Sequence, residues 1–291
     1  MKSAAFALAM PRSIDETVAA IAAAGSDARL LAGGQSLMPL MAMRLTSPSV
    51  LVDLSRVPGL AHVSVGDDGS VTIGAMTRQR TVERNPLVAR HAPLLTAAIP
   101  FIAHVAVRNQ GTVGGSIAHA DPAAELPTVA VAMGAEMAVV GPSGHRVIGA
   151  ADFFTGPMRT SMTGGEVLTD VRFPAHDSAD TVAFHEYSRR HGDPALASAA
   201  VILRVIDGVI RHASIALGGV DATPLRAADA ESLLIGQRST SELFAAAGAA
   251  ASAAVHPADT IHGTAAYRRH LVGVMVRRAL AEAAAARGVS A

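Results

Sequence analysis

Two short stretches carry the residue types that take anions onto a backbone: "LAGGQSLMPL" (31–40) and "GTVGGSIAHADP" (111–122). Each sets a glycine pair beside hydroxyls, Ser36 in the first and Thr112 and Ser116 in the second. Without a Cβ, glycine turns readily through positive φ and lets a ligand come close to the chain. After Gly33 and Gly34, Pro39 suits the first turn of a helix, where amides have no intrahelical acceptor. Those amides and the Ser36 hydroxyl are the parts of a pyrophosphate cradle. Taken alone, the first stretch is explained more simply as a tight strand-to-helix connection, since a lone glycine pair is weak evidence. The second stretch repeats the chemistry and changes that balance. It adds Asp121–Pro122, which reads as an N-cap and first helical position, with Glu125 in the first turn that follows. Asp121 and Glu125 are then either structural acids or ligand contacts. Neither stretch fits G-x-G-x-x-G, and no Walker A sequence is present, so the two usual nucleotide folds are disfavoured.

The rest of the chain narrows the chemistry by what it lacks. There is no cysteine in the 291 residues, which excludes disulfides, thiolate catalysis, Cys-ligated zinc and iron–sulfur clusters within the chain. Redox work would need a bound organic cofactor. The twelve histidines are scattered, with no H-E-x-x-H; His104 and His119 flank the second glycine stretch, and no metal site is expected. No G-x-S-x-G elbow points to a serine hydrolase. "RRHGDP" (189–194) reads as a solvated strand end. Acidic and basic residues balance at 24 each with no basic stripe, so a nucleic-acid partner is not expected. The Ala-rich segments are too short and too polar to span a bilayer. The N-terminal "MKSAAFALAMPRS" meets Pro11 and Arg12 after a short apolar run, which fits a first strand better than a signal peptide. The expected location is the cytoplasm.

The elements that must position these stretches follow from periodicity. Ser13 and Glu16 form a capping box ahead of a helix ending near Gly25. "ARLLAGG" is a short strand into the first glycine stretch, and "SVLVDLS" (49–55) another, so residues 1–57 read as β-α-β-α-β. Residues 58–174 form a second unit. It has a strand at 70–76, a helix broken near Pro86, a helix over "APLLTAAIPFIA" and a glycine-rich loop at 108–127. A helix from Glu125, a hairpin turning at 141–144 and a strand at 166–174 complete it. After a polar linker at 175–181, residues 178–288 form a third unit. Asp207–Gly208 between two apolar runs is the strongest hairpin signal in the chain. Ser239 and Glu242 open an Ala-rich helix. The long final helix places Tyr267, Leu271, Val274 and Met275 on an apolar side suited to core packing.

With these elements in order, "LLAGGQSLMPLMAMRL" followed by "RNQGTVGGSIAHADPAAELP" resembles the FAD-binding medium subunit of molybdenum hydroxylases. That group includes carbon monoxide dehydrogenase, bacterial nicotine and caffeine dehydrogenases and 4-hydroxybenzoyl-CoA reductase. The resemblance covers essentially the whole chain. It implies an α+β fold: a two-part FAD-binding domain of the vanillyl-alcohol-oxidase (PCMH) type, then a C-terminal domain of the CO dehydrogenase flavoprotein type with an antiparallel sheet and helices. It also implies cofactor-binding residues. Leu31, Ala32, Gly33, Gly34, Gln35, Ser36 and Leu37 would wrap the FAD pyrophosphate with backbone amides, and Thr112, Val113, Gly114, Gly115 and Ser116 would do the same from the other side. Asp121 and Glu125 would meet the cofactor, and Leu168 and His185 would line the flavin. Carbon monoxide dehydrogenases tend to carry His where Gln35 stands and an aromatic about where Pro194 sits; xanthine dehydrogenases carry Lys at the position of His185.

What the resemblance implies for function is an FAD-carrying electron-transfer subunit of a heterotrimeric molybdenum hydroxylase. A small partner subunit would hold [2Fe-2S] clusters and a large one molybdopterin-bound molybdenum, and the resemblance implies that they assemble as a dimer of heterotrimers. An external acceptor would take the electrons, and no residue of this chain would serve as a general acid or base. The other class of reading is a stand-alone FAD-dependent oxidase, which would need a base near the flavin that the sequence does not offer.

Overall fold

In the computed structural model, which describes residues 2–286, the first sheet is parallel, with strand order β1–β3–β2. It comprises β1 (Ala7–Ala9), β2 (Ala28–Leu31) and β3 (Val50–Asp53), joined by α1 (Ile14–Ala24) and α2 (Leu37–Ala42). The Ser13 hydroxyl accepts the Glu16 amide at 3.1 Å, and the Glu16 carboxylate accepts the Arg12 amide at 2.7 Å. Two otherwise orphaned donors are thereby satisfied at the start of α1. Gly25 ends that helix at φ +62°. The β-α-β-α-β reading of this unit matches the structure.

The second sheet holds β4 (Val63–Val65), β5 (Val71–Gly74), β6 (Glu136–Gly141), β7 (Gly144–Gly149) and β10 (Val167–Phe173), in the order β4–β5–β10–β6–β7 and antiparallel throughout. The three-residue β4 was not anticipated, being too short to show a period. Between β7 and β10 lie α9 (Ala150–Phe153) and a small ribbon of β8 (Phe154–Gly156) and β9 (Arg159–Thr160). Six short helices connect β5 to β6: α3 (Gln79–Arg84), α4 (Pro86–His91), α5 (Pro93–Ala98), α6 (Val105–Gln110), α7 (Val113–His119) and α8 (Glu125–Met133). The break expected at Pro86 is present, with Asn85 capping α4 through the Leu87 amide at 2.8 Å.

Two expectations fail in this segment. The glycine-rich stretch is helical in α7 rather than a loop, because Thr112 caps it and accepts the Gly115 amide at 3.1 Å. Asp121 does not cap α8. Its carboxylate accepts the Ala123 amide at 2.9 Å, closing a turn that ends before the helix, and Ala124 holds the cap position without a side-chain bond.

The third sheet runs β11 (Asp180–Tyr187), β12 (Ala197–Ile206), β13 (Val209–Gly218) and β14 (Leu225–Arg226) in sequential antiparallel order. Asp207 and Gly208, at φ +52° and +74°, make the predicted two-residue turn, whose twist matches that of the strands. Three helices follow: α10 (Ala228–Leu234), α11 (Ser241–Ala253) and α12 (Ala265–Ala285). The cap of α11 is Thr240, accepting the Leu243 amide at 3.2 Å, one residue beyond the expected Ser239. Leu271, Val272, Met275 and Val276 of α12 are buried, while Tyr267 stays exposed. A Cβ on Gly248 would lie 2.6 Å from the Gly273 carbonyl oxygen, so glycine lets α11 and α12 touch backbone to backbone.

Strand alternation divides the third sheet between two cores. Ala183, Ala199, Val201 and Ile215 pack toward α11 and α12. Phe184, Ala200, Ile202 and Ala216 pack the other way, with α5, α8 and the second sheet. Helix α8 is thus enclosed, and every residue from Glu125 to Ala132 is buried. Among the described residues no helix is long and apolar enough to cross a membrane.

Candidate functional site

The two glycine stretches meet. A Cβ on Gly33 would lie 2.8 Å from Gly111 Cα and against the Gln110 carbonyl, so the chains pass in backbone contact that only glycine allows. Gly34 turns the chain into α2 at φ +71°, and the Gln35 side-chain amide donates to the Gly33 carbonyl at 3.1 Å. The bonds of the next turn are ordinary: Met38 donates to the Gly34 carbonyl and Leu40 to the Ser36 carbonyl. Among the described residues, no protein group accepts the amides of Gly33, Gly34, Gln35, Ser36 and Leu37. A row of donors without acceptors is the local chemistry expected of an anion cradle.

The second stretch differs from its expected role. The Val113 amide donates to the Thr77 carbonyl at 3.0 Å and the Gly114 amide to the Ala75 carbonyl at 2.9 Å. The Gly115 amide goes to Thr112 Oγ1, and the Ser116 amide to the Thr112 carbonyl at 3.2 Å. These amides are therefore spent on the protein, and the second stretch does not mirror the first. It works as a clamp: a Cβ on Gly114 would lie 2.6 Å from Ala75 Cα, so α7 sits directly on the chain leaving β5. The Ser116 hydroxyl remains as a polar contribution to the wall.

Between the stretches lies a cavity of about 700 Å³, within the range of about 300–1,000 Å³ usual for small-molecule and cofactor sites. Of the sequence-predicted residues, Ala32 through Leu37, Thr112, Gly114, Gly115, Ser116, Asp121, Glu125 and Leu168 line it. Leu31, Val113 and His185 do not. Val113 is fully buried in the core. His185 lies on the opposite face of β11, with Nε2 2.8 Å from a Glu282 carboxylate oxygen of α12. Successive strand residues face opposite ways, and it is Glu186 that turns toward α8 and bonds Glu125.

Several lining residues went unrecognised in the sequence. Gly192, Asp193 and Pro194, read as a solvated strand end, form part of the wall. Gly192 stands at φ +87°, where a Cβ would lie 2.9 Å from the Ala103 carbonyl oxygen; the G-D-P turn was the available signal. Gln79 also lines the cavity. It is 5% exposed, and its Oε1 is buried with no hydrogen-bond partner. Nothing in its local sequence marks it. His119 lines the cavity and His104 does not.

The adjoining electrostatics centre on two acids and one arginine. Burial pushes the Glu125 carboxyl well above the usual carboxylate range, with the nearby Asp121 charge adding to the effect. Glu186 is raised first by burial and then by Glu125 itself. Arg108 is 8% exposed and is held by Glu83 at 3.0 Å and by the Ile102 carbonyl at 2.8 Å. It pins the turn that brings Ile102 and Ala103 to the cavity. The unaccepted amides, the orphaned Gln79 oxygen and the glycine contacts suit a phosphate-bearing organic cofactor of dinucleotide size.

Comparison with known proteins points the same way. Residues 4–176 match the family model "FAD binding domain in molybdopterin dehydrogenase", and residues 182–283 match "CO dehydrogenase flavoprotein C-terminal domain". The chain is 41% identical to the nicotine 6-hydroxylase medium subunit of Paenarthrobacter nicotinovorans, over 98% of this chain and 99% of that one. Its structure matches a chain of carbon monoxide dehydrogenase from Hydrogenophaga pseudoflava with a TM-score of 0.95 at 40% identity, covering 99% of each. Quinoline 2-oxidoreductase from Pseudomonas putida 86 matches with a TM-score of 0.94 at 38% identity, over the full length of both chains.

Proposed function

The chain belongs to the family of FAD-binding medium subunits of molybdenum hydroxylases, and from that membership we propose that it carries electrons, by way of FAD in this cleft, from [2Fe-2S] clusters of a small partner subunit to an external acceptor. Substrate oxidation takes place in a large molybdopterin subunit, and the three chains form a cytoplasmic dimer of heterotrimers. Iron–sulfur clusters need thiolate ligands, and this chain has no cysteine to offer, so the clusters belong to another chain.

The observation that carries the reading is that Gly33 to Leu37 line the cavity and that, among the described residues, their five amides have no protein acceptor. When bound, FAD supplies the redox chemistry, and the protein supplies binding, orientation and electrostatics. Here the amides and the Ser36 hydroxyl take the pyrophosphate charge. The clamp of Gly33 on Gly111 and Gly114 on Ala75 keeps that row fixed. Gln79 and Ser116 offer further polar contacts, while Leu168, Ile102 and Met162 exclude water from the wall. Leu31, Val113 and His185 act behind the lining or away from it.

The test is purification of the whole chain, alone and with its two partner subunits. The expected result is a yellow protein that releases FAD on denaturation, and flavin reduction by organic substrate only in the presence of both partners. A chain that binds no FAD would overturn the assignment. Reduction of its flavin by an organic substrate without partners would overturn it in favour of a stand-alone oxidase.

A further inference from the structure

Glu125, which is buried, and Glu186, which is half-buried, form an acid pair that pyrophosphate binding does not use. Glu125 opens α8, lines the cavity and is 7% exposed. Glu186 comes from β11, across the junction with the third sheet, and lies behind Glu125 rather than in the lining. The two carboxyls lie in hydrogen-bond contact and act on each other as like charges. Glu186 Oε2 is buried with no partner, and so is the hydroxyl of Ser198, which sits opposite Glu186 in the β11–β12 register.

Among the described residues, no cation pairs directly with either carboxyl. Arg108 of α6 acts on Glu125 from a distance, and its guanidinium is already bound by Glu83 and by backbone carbonyls. Asp121, in the turn before α8, adds negative charge. Helix α5, packed on the same face of β11, has the sequence PLLTAA and no titratable side chain. On the other face of β11, His185 is paired with Glu282 of α12. The cavity's remaining titratable lining residues are Arg29, His119 and Asp193. Two like carboxyls in hydrogen-bond contact away from water retain one proton between them.

Iron–sulfur clusters pass electrons without protons, whereas full reduction of FAD takes up two electrons and two protons. Protons must therefore reach the cofactor by a route of their own. We propose that Glu186 is a positioning residue that keeps one exchangeable proton on the Glu125–Glu186 pair, and that Glu125 delivers this proton to the cofactor as the partner's clusters supply the electrons. An O–H bond on the pair breaks as an N–H bond forms on the cofactor. The second proton, and the one that reloads the pair, come from water at the cleft. This inference rests on the function proposed above.

Infrared spectroscopy of the full chain tests it, first without ligand and then as the reduced-minus-oxidised difference with FAD bound. The wild type is expected to show a protonated carboxyl band at neutral pH that diminishes on reduction. Glu186→Gln loses the band and the reduction signal, and flattens the dependence of the flavin midpoint potential on pH. Glu186→Asp, which keeps the carboxyl should the amide disturb folding, restores both. Fully ionised carboxyls in the ligand-free wild type would overturn the proposal, as would a reduction signal that Glu186→Gln leaves unchanged. A wild-type chain that takes up no FAD overturns the proposed function and the delivery step together, while the ligand-free band still decides whether the pair holds a proton.

Discussion

Replacing Gly33 with alanine tests the clamp most directly. The φ of Gly33 is not positive, so alanine suits the backbone and the only obstacle is space. Its Cβ would lie 2.8 Å from Gly111 Cα, where ordinary contact begins at 3.4 Å, and both neighbours are backbone. No rotamer can relieve this, so the two stretches must separate by about 0.6 Å to clear Gly111 Cα and by more to clear the nearer Gln110 carbonyl oxygen, or strain in place, as overpacked sites do at about 1–3 kcal/mol. Appearing as lost cofactor binding, that cost is about a 5- to 140-fold weaker FAD affinity, at 1.4 kcal/mol per tenfold. Appearing instead in the fold, it lowers Tm by about 2–4 °C for each kcal/mol. Titration of ligand-free protein with FAD, followed by flavin fluorescence, together with a thermal melt, separates the two. Gly149→Ala is the control, since its Cβ meets no atom within 4 Å and its φ is −69°. A Gly33→Ala protein with wild-type affinity and wild-type Tm would refute the argument.

Three further outcomes follow from other parts of the molecule. The Glu166 carboxyl is held down to about 2 by the Arg146 guanidinium, 2.6 Å away, with the Thr163 amide assisting. That stabilisation is present above the ordinary glutamate pKa and is lost as pH falls through the depressed value. Glu166→Gln should therefore move acid unfolding, followed by circular dichroism, to higher pH, and an unmoved midpoint counts against the pair. The raised Glu186 carboxyl has the opposite sign: its contribution is full below the ordinary glutamate range and is lost as pH rises through the folded value. Calorimetry should show wild-type Tm falling from neutral to alkaline pH and a shallower fall in Glu186→Gln; parallel slopes would contradict this. Thr240→Ala should cost about 1 kcal/mol of stability in a denaturant melt, as loss of an N-cap does. Ser239→Ala should cost less, because the Ser239 hydroxyl is buried without a partner; the reverse order would move the cap back to Ser239.

Local signals in the chain specify the structure where one residue and its near neighbours decide the geometry. Ser13 with Glu16 marked the start of α1, Pro86 the break between α3 and α4, and Asp207–Gly208 the hairpin of the third sheet. Each depends on hydrogen bonds or φ values within a few residues. The same holds for Gly33 and Gly34, whose turn is closed by Gln35 and leaves the following amides free. Boundaries were less secure where neighbouring residues compete, as Ser239 and Thr240 do for one cap.

The sequence by itself determined the two glycine stretches, Glu125 as a candidate acid, and the lack of any cysteine to ligate an iron–sulfur cluster in this chain, because residue type alone settles which chemistry a side chain can do. Tertiary structure decided what those residues do in place. Val113 and Gly114 lose their amides to carbonyls of Thr77 and Ala75, far back along the chain, and no local pattern encodes that pairing. Alternation along β11 says that His185 and Glu186 face opposite ways, but only the packing of α8 and α12 on the two sides says which faces which. Gln79 and Gly192 reach the cavity by the same long-range folding. A strand carries its period in its sequence, whereas the partner on each face is set by how distant elements share the burial of their apolar surface.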